Sequence, residues 1–416
     1  NTAGNLSLTG GTLVVGAATT VSGNITIGTG ATLNGAAATL SVGGNWNNSG
    51  VFTPASGTVS FTGGNEQTIT ATTFNNLVVN KTGGSATLTG NATINGNTTV
   101  SAGSLNLSTF TANRNSPGGA LTIANGAAVL AGGAANFPAG YSLYTIGSTS
   151  TVTYNGAGTQ TVAGDIAYGH LVMANGGAKT LAANCTVNGN LTINSGASFG
   201  ADTYTISLYG NWSNNSTFTP GSGTITLNGN GKTITGNTTF NRLTVYGSYT
   251  VSGSDITYNG LLLVATGGSY DAGGGTATVN GDLTNNGSLV SNGITTFTGT
   301  SLQTIRFVNA IVSNSSGVIN FNGNISPVLN STSPPTFATL NVNNTAGINP
   351  SVGWNILVAF NIAAGASFNG GISTHNIRSS FTNNGIVTST GTLNFNPATA
   401  QNIQLRGATF SSTGIV

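Results

Sequence analysis

Apolar and small polar residues alternate along nearly the whole chain. In GTVSFTGGNEQTITATTFNNLVV, from Gly57 to Val79, Val59 and Phe61 fall on one face and Thr58 and Ser60 on the other. A turn at Gly63-Gly64 interrupts the pattern, and Thr68 to Thr70 and Phe74 to Val79 resume it. A period of two residues is that of a half-buried β-strand. The same reading predicts strands over Asn5–Leu8, Thr12–Val15, Asn24–Ile27 and Thr39–Val42. No segment combines the helical period with capping residues.

The stretch from Gly57 recurs. Related copies begin at Ser150 (STVTYNGAGTQTV), Gly223 (GTITLNGNGKTI), Gly293 (GITTFTGTSLQTI) and Gly391 (GTLNFNPATAQNI). Their first apolar positions, Val59, Val152, Ile225, Ile294 and Leu393, lie roughly 70 to 100 residues apart, which fits three or four strand-turn units of about 20 to 30 residues each. A second marker precedes most copies: GNWNNSG at Gly44, GNWSNNS at Gly210, GDLTNNG at Gly281 and SSFTNNG at Ser379. Its Asn pair suits a turn, because Asn tolerates left-handed backbone and closes Asx-turns.

This pattern predicts an all-β fold, a single elongated right-handed parallel β-helix (β-solenoid) over 1–416 without significant helix. Stacked turns hydrogen-bond their backbones along the long axis, at a strand spacing of about 4.8 Å. Inward residues would be Val, Ile, Leu, Phe and Ala, outward ones Thr, corner residues Gly and Asn. Asn side chains are expected to stack as amide ladders between turns. About 18 turns are expected at this unit length. The irregular patches near 112–147 and 327–337, the latter with Pro334-Pro335, are expected to leave the regular path.

Charge sharpens the picture. Charged residues are 3% of the chain, against about 25% in ordinary soluble domains. Like charges directly opposed on paired strands repel, so a stack of similar turns disfavours them. The alternation argues against the disorder that so polar a composition otherwise suggests. The eight Lys and Arg residues stand singly, so phosphate neutralisation on a nucleic acid is not expected. No apolar run is long enough to cross a bilayer, and no membrane insertion is expected.

The copies of the form TV-x-F-x-G-x-x-QTI and the GN-[apolar]-x-NN elements resemble those of secreted bacterial β-solenoid repeat proteins, including surface adhesins and extracellular fibre proteins. The resemblance covers most of the chain. It implies export and a role at the cell surface or in the matrix, as in a biofilm.

The chain starts at Asn1 without Met, which reads as a mature secreted chain or a trimmed one. Neither end shows a capping segment. Joined tail to head, TFSSTGIV from Thr409 and NTAG from Asn1 echo the internal TFATLNVNNTAG from Thr336. The expectation is a structural filament subunit that polymerises head-to-tail with itself, through Asn1, Thr2, Leu6, Leu8, Phe410, Ile415 and Val416. The alternatives are a shaft segment of a larger surface adhesin and an ice-binding or carbohydrate-binding solenoid. Thr-x-Thr residues at 68, 70, 224, 233 and 276 are unevenly spaced for an ice-binding ladder.

No enzymatic activity, cofactor or metal is expected. The six acids, Glu66, Asp165, Asp202, Asp255, Asp271 and Asp282, include no pair close in sequence. His170 and His375 lack neighbours in ligand spacing, and Cys185 reads as a small buried apolar residue. Trp46 and Trp212 share a repeat position and read as packing between turns. Asn24, Asn91, Asn97, Asn190, Asn211, Asn237 and Asn324 head Asn-x-Ser/Thr sequons and are potential glycosylation sites, making glycans potential partners.

Overall fold

A computed structural model describes every residue except 1, 310, 313–315, 379, 397–400, 407, 408 and 413–416. It is a parallel β-solenoid of about 20 turns, without helix among the described residues. The chain divides into two compact units, Asn1–Gly200 and Ala201–Val416.

In the first unit the period-two pattern becomes parallel rows. Leu6 lies opposite Ile25, Ile25 opposite Trp46, and Trp46 opposite Ile69. On another face Leu40, Val59 and Leu77 are stacked, followed by Thr98 and Leu121. These apolar side chains are buried, with Leu6 the exception at half-buried. Thr98 is the polar member of its row. Its hydroxyl meets Tyr141 Oη at 2.7 Å, and Tyr141 donates in turn to the Ala112 carbonyl at 2.9 Å. A hydroxyl inside an apolar row is tolerated because its bonds are made there. Two further three-stranded parallel sheets follow one another along the stack: Gly11–Val14 with Ala31–Asn34 and Val51–Thr53, and Thr72–Phe74 with Ala92–Ile94 and Ala112–Arg114.

The second unit repeats the construction. Ile206, Ile225, Leu243, Leu262, Leu283, Ile305 and Leu329 form one continuous inward row. Phe297 stacks on Phe321 at 4.9 Å and Phe321 on Trp354 at 5.6 Å, each pair 14° from parallel. Like residues therefore sit on like residues, as stacking in register demands. The expected amide ladder is present on the outside. Asn361 Nδ2 donates to Asn341 Oδ1, Asn341 to Asn320, and Asn320 to Thr296 Oγ1, at 2.9, 2.8 and 3.2 Å.

Residues 112–147 contribute four strands: Ala112–Arg114, Gly118–Ile123, Ala128–Ala131 and Tyr141–Ile146. The segment between the last two carries Asn136 and Phe137 into the core. Near Pro334-Pro335, the short strand Val328–Leu329 and the strand Thr336–Val342 flank a turn.

Candidate functional site

Side chains at the corners bond to the backbone of the next turn. Asn5 Oδ1 accepts the backbone N–H of Asn24, and Asn24 Oδ1 that of Asn45. Asn45 Oδ1 accepts that of Thr68, so each side chain reaches one turn onward. Asn76 and Asn97 form a second column of this kind, ending on Ala120 N–H. An N–H at a corner points along the axis but lies outside the regular strand ladder; the Asn side chain satisfies it.

The sequon asparagines belong to this system. Asn24, Asn91, Asn97, Asn211 and Asn237 each use Oδ1 on an N–H of the next turn. Asn24, Asn91, Asn97, Asn237 and Asn324 are exposed; Asn190 and Asn211 are half-buried. His170 takes the same role, its Nδ1 accepting Asn190 N–H at 2.9 Å.

The acids are distributed likewise. Glu66, Asp255 and Asp282 accept the N–H of Ser85, Thr276 and Thr304 from the following turn. Asp271 closes an Asx-turn onto Gly273 N–H at 2.9 Å. Asp165 and Asp202 occupy left-handed corners, with φ of 55° and 54°. No group of three or more His, Cys, Asp or Glu able to hold a metal occurs among the described residues.

Inside the corners lies a second set of polar residues. Gln160 Nε2 donates to the Ala131 and Gly133 carbonyls, and its Oε1 accepts Gly156 N–H, all at 2.8 Å. Gln303 repeats this with Val279, Gly281 and Gly299. Gln67 binds the Val42 and Gly44 carbonyls, but its Oε1 accepts from Lys81 Nζ at 2.6 Å. Lys81 also reaches the Gly63 and Asn65 carbonyls, both at 2.8 Å. Lys179 Nζ is held by the carbonyls of Gly156, Gly176 and Gly177. Lys81 is 2% exposed and Lys179 fully buried. Burial lowers the pKa of both ammonium groups, and Glu66 partly offsets this at Lys81. Sequence reasoning singled out the QTI copies without seeing that their Gln points inward. The signal was the alternation itself: Gln67 has the parity of Ile69, and Lys179 that of Leu181.

Among the residues expected to make contacts between subunits, Leu6 and Leu8 are half-buried, whereas their opposites Ile25 and Ile27 are fully buried. Thr2 pairs with Thr20. Phe410, half-buried, lies opposite Val387 with its ring 6.2 Å from that of Phe381. Asn1, Ile415 and Val416 lie outside the described residues.

Trp46 and Trp212 are fully buried, in matching surroundings. Phe52 meets Trp46, and Phe218 meets Trp212, each edge-on at 4.8 Å. Each indole Nε1 donates to a threonine hydroxyl, Thr72 at 2.9 Å and Thr238 at 3.2 Å. Next to each cluster opens a cleft, of about 410 Å³ in the first unit and about 360 Å³ in the second.

Burial raises the thiol pKa of Cys185 to about 12 and lowers the pKa of His375. His375 is fully buried, with Nδ1 facing Trp354 N–H and Nε2 facing the Gly370 carbonyl.

No family model, no curated protein and no solved structure matches the chain. The repeat β-solenoid scaffold itself fits a structural role.

Proposed function

We propose that the chain is a structural subunit of an extracellular filament, extended head-to-tail by strand pairing between copies. The observation that carries this reading is the exposure of inward-type residues in the outermost described turns. Leu13 is 37% exposed, where Leu33 opposite it is fully buried; Ile403 and Leu405 are 51% and 55% exposed, where Phe381 and Asn383 opposite them are buried. Equivalent positions in interior turns are covered by the next turn. A strand edge flanked by uncovered apolar side chains is a template for another strand. A second copy supplies one by a heterologous contact that does not close on itself.

The scarcity of charge and the single, buried cysteine support placement outside the cell, where a scaffold meets oxidants and changing salt. A non-catalytic reading is supported by the acids, which serve corners and backbone N–H groups. In the second reading, a shaft segment of a larger adhesin, further turns of the same protein cover these edges.

Negative-stain microscopy and light scattering across a concentration series test the filament. Growth with concentration is expected, and Leu8→Asp, which puts a charge in an uncovered row, stops it. Rods of one short length at every concentration defeat the proposal.

A further inference from the structure

We infer that the paired clefts beside Trp46 and Trp212 are binding sites for a neutral sugar ring. The first is walled by Asn48, Phe52, Thr72, Thr73, Asn91 and Thr93. The second has Asn214, Phe218, Thr238, Thr239, Asp255 and Thr257 at the corresponding places. The correspondence is geometric as well as sequential. Phe52 and Phe74 lie 6.0 Å apart at 56°, Phe218 and Phe240 6.1 Å apart at 56°. Asn48 Nδ2 and Asn214 Nδ2 both donate to the threonine that holds the indole, at 3.3 and 3.1 Å. The same cleft is thus built twice, once in each unit, from distant stretches of sequence.

The lining selects the ligand. The first cleft contains no Lys, Arg or His to hold an anion and no carboxylate to hold a cation. It offers hydroxyls and amides beside Phe52, which is 9% exposed, a chiefly polar lining that suits the hydroxyls of a sugar. Thr73 and Asn91, both exposed, line it with a hydroxyl and an amide within reach of a ligand. The volumes are at the small end of the ~300–1,000 Å³ range of ligand sites, which suits one or two rings. In the second cleft Asp255 replaces Asn91. One of its oxygens is used on Thr276 N–H, and the carboxylate adds an attraction for a protonated amino sugar.

The indole N–H signals of Trp46 and Trp212 report on the two clefts separately, because each donates to a cleft-lining threonine. Protein made in a host that does not glycosylate is titrated with methyl β-glucoside, methyl N-acetylglucosaminide, glucosamine and glucuronate, and its NMR spectrum followed. Both indole signals are expected to shift saturably with the neutral glycosides and not with glucuronate. Glucosamine is expected to move the Trp212 signal more than the Trp46 signal. Thr73→Tyr fills the first cleft and abolishes the Trp46 shift alone; Thr239→Tyr does the same for Trp212. Thr99→Tyr, outward and remote from both clefts, leaves both shifts intact, and unchanged melting of all three variants excludes misfolding. The inference is overturned by indole signals that stay fixed up to the solubility of the neutral sugars. Shifts that survive in the double Thr73→Tyr, Thr239→Tyr variant overturn it equally. Filament growth is scored independently, so either reading can fail alone.

Discussion

Replacing Gln160 by Leu tests whether the inward glutamines hold the corners together. The side chain is 4% exposed and makes three hydrogen bonds of 2.8 Å, two as donor and one as acceptor. Leu has nearly the same bulk and none of the polar atoms. The Ala131 and Gly133 carbonyls and the Gly156 N–H then lose a partner inside the core. Each orphaned group costs about 1 to 3 kcal/mol, and water entering the corner recovers part of it, so a loss of about 3 to 5 kcal/mol is expected. The loss is read from urea unfolding and from hydrogen exchange at the Gly156 amide, which is expected to lose its protection selectively. Gln160→Glu provides the sign. An ionised carboxylate keeps the acceptor for Gly156 but faces two carbonyls with no hydrogen to offer. Burial raises its pKa, so this variant gains stability as pH falls and the acid takes up a proton. A Leu variant within about 0.5 kcal/mol of the parent, the ordinary range for surface changes, refutes the reasoning.

Two further predictions concern titration. Burial pushes the phenol pKa of Tyr141, Tyr154 and Tyr249 up to about 12 from the ordinary 10.0, and that of Tyr168, Tyr258 and Tyr270 up as well. The folded state holds these protons more tightly, so the stability they contribute is complete below pH 10.0 and is lost as pH rises toward 12. Cooperative alkaline unfolding is expected in that window, coincident with phenolate absorbance from these six; ionisation of all ten tyrosines near 10 with the fold intact defeats it. His375 has the opposite sign. Its pKa is lowered from 6.5 by burial, so its contribution is present above 6.5 and lost as pH falls below it. His375→Leu is expected to flatten the acid limb of the urea midpoint against pH, and an unchanged acid limb counts against it.

Much of this architecture was legible in the alternation of residues such as Val59 and Phe61 with Thr58 and Ser60. A period of two with Gly and Asn at the breaks admits few folds, and the recurrence of the unit reduces them to a stack. Trp46 and Trp212 were placed correctly by their shared position, and so was Cys185. The acids read as scattered because their partners are backbone N–H groups one turn away, roughly 20 residues along the chain, and no spacing rule marks such a pair. Gln67, Gln160 and Gln303 were hidden by expectation: inward positions were assumed apolar, although the parity of the strand placed these side chains inside. The clefts could not be seen at all. They depend on how three successive turns offset one another at a corner, which is a property of register rather than of composition.

The parallel register also governs how such a chain can change in length. Each residue's neighbours above and below are its counterparts in adjoining turns, as Leu40, Val59 and Leu77 illustrate. Deleting or duplicating one complete turn leaves every remaining row facing a row of the same kind. Losing a single residue within a strand moves all later side chains of that strand to the opposite face. Viable length variants of this molecule therefore come in whole-turn steps, and the gene can be shortened or extended in units of about 20 codons without redesigning what remains.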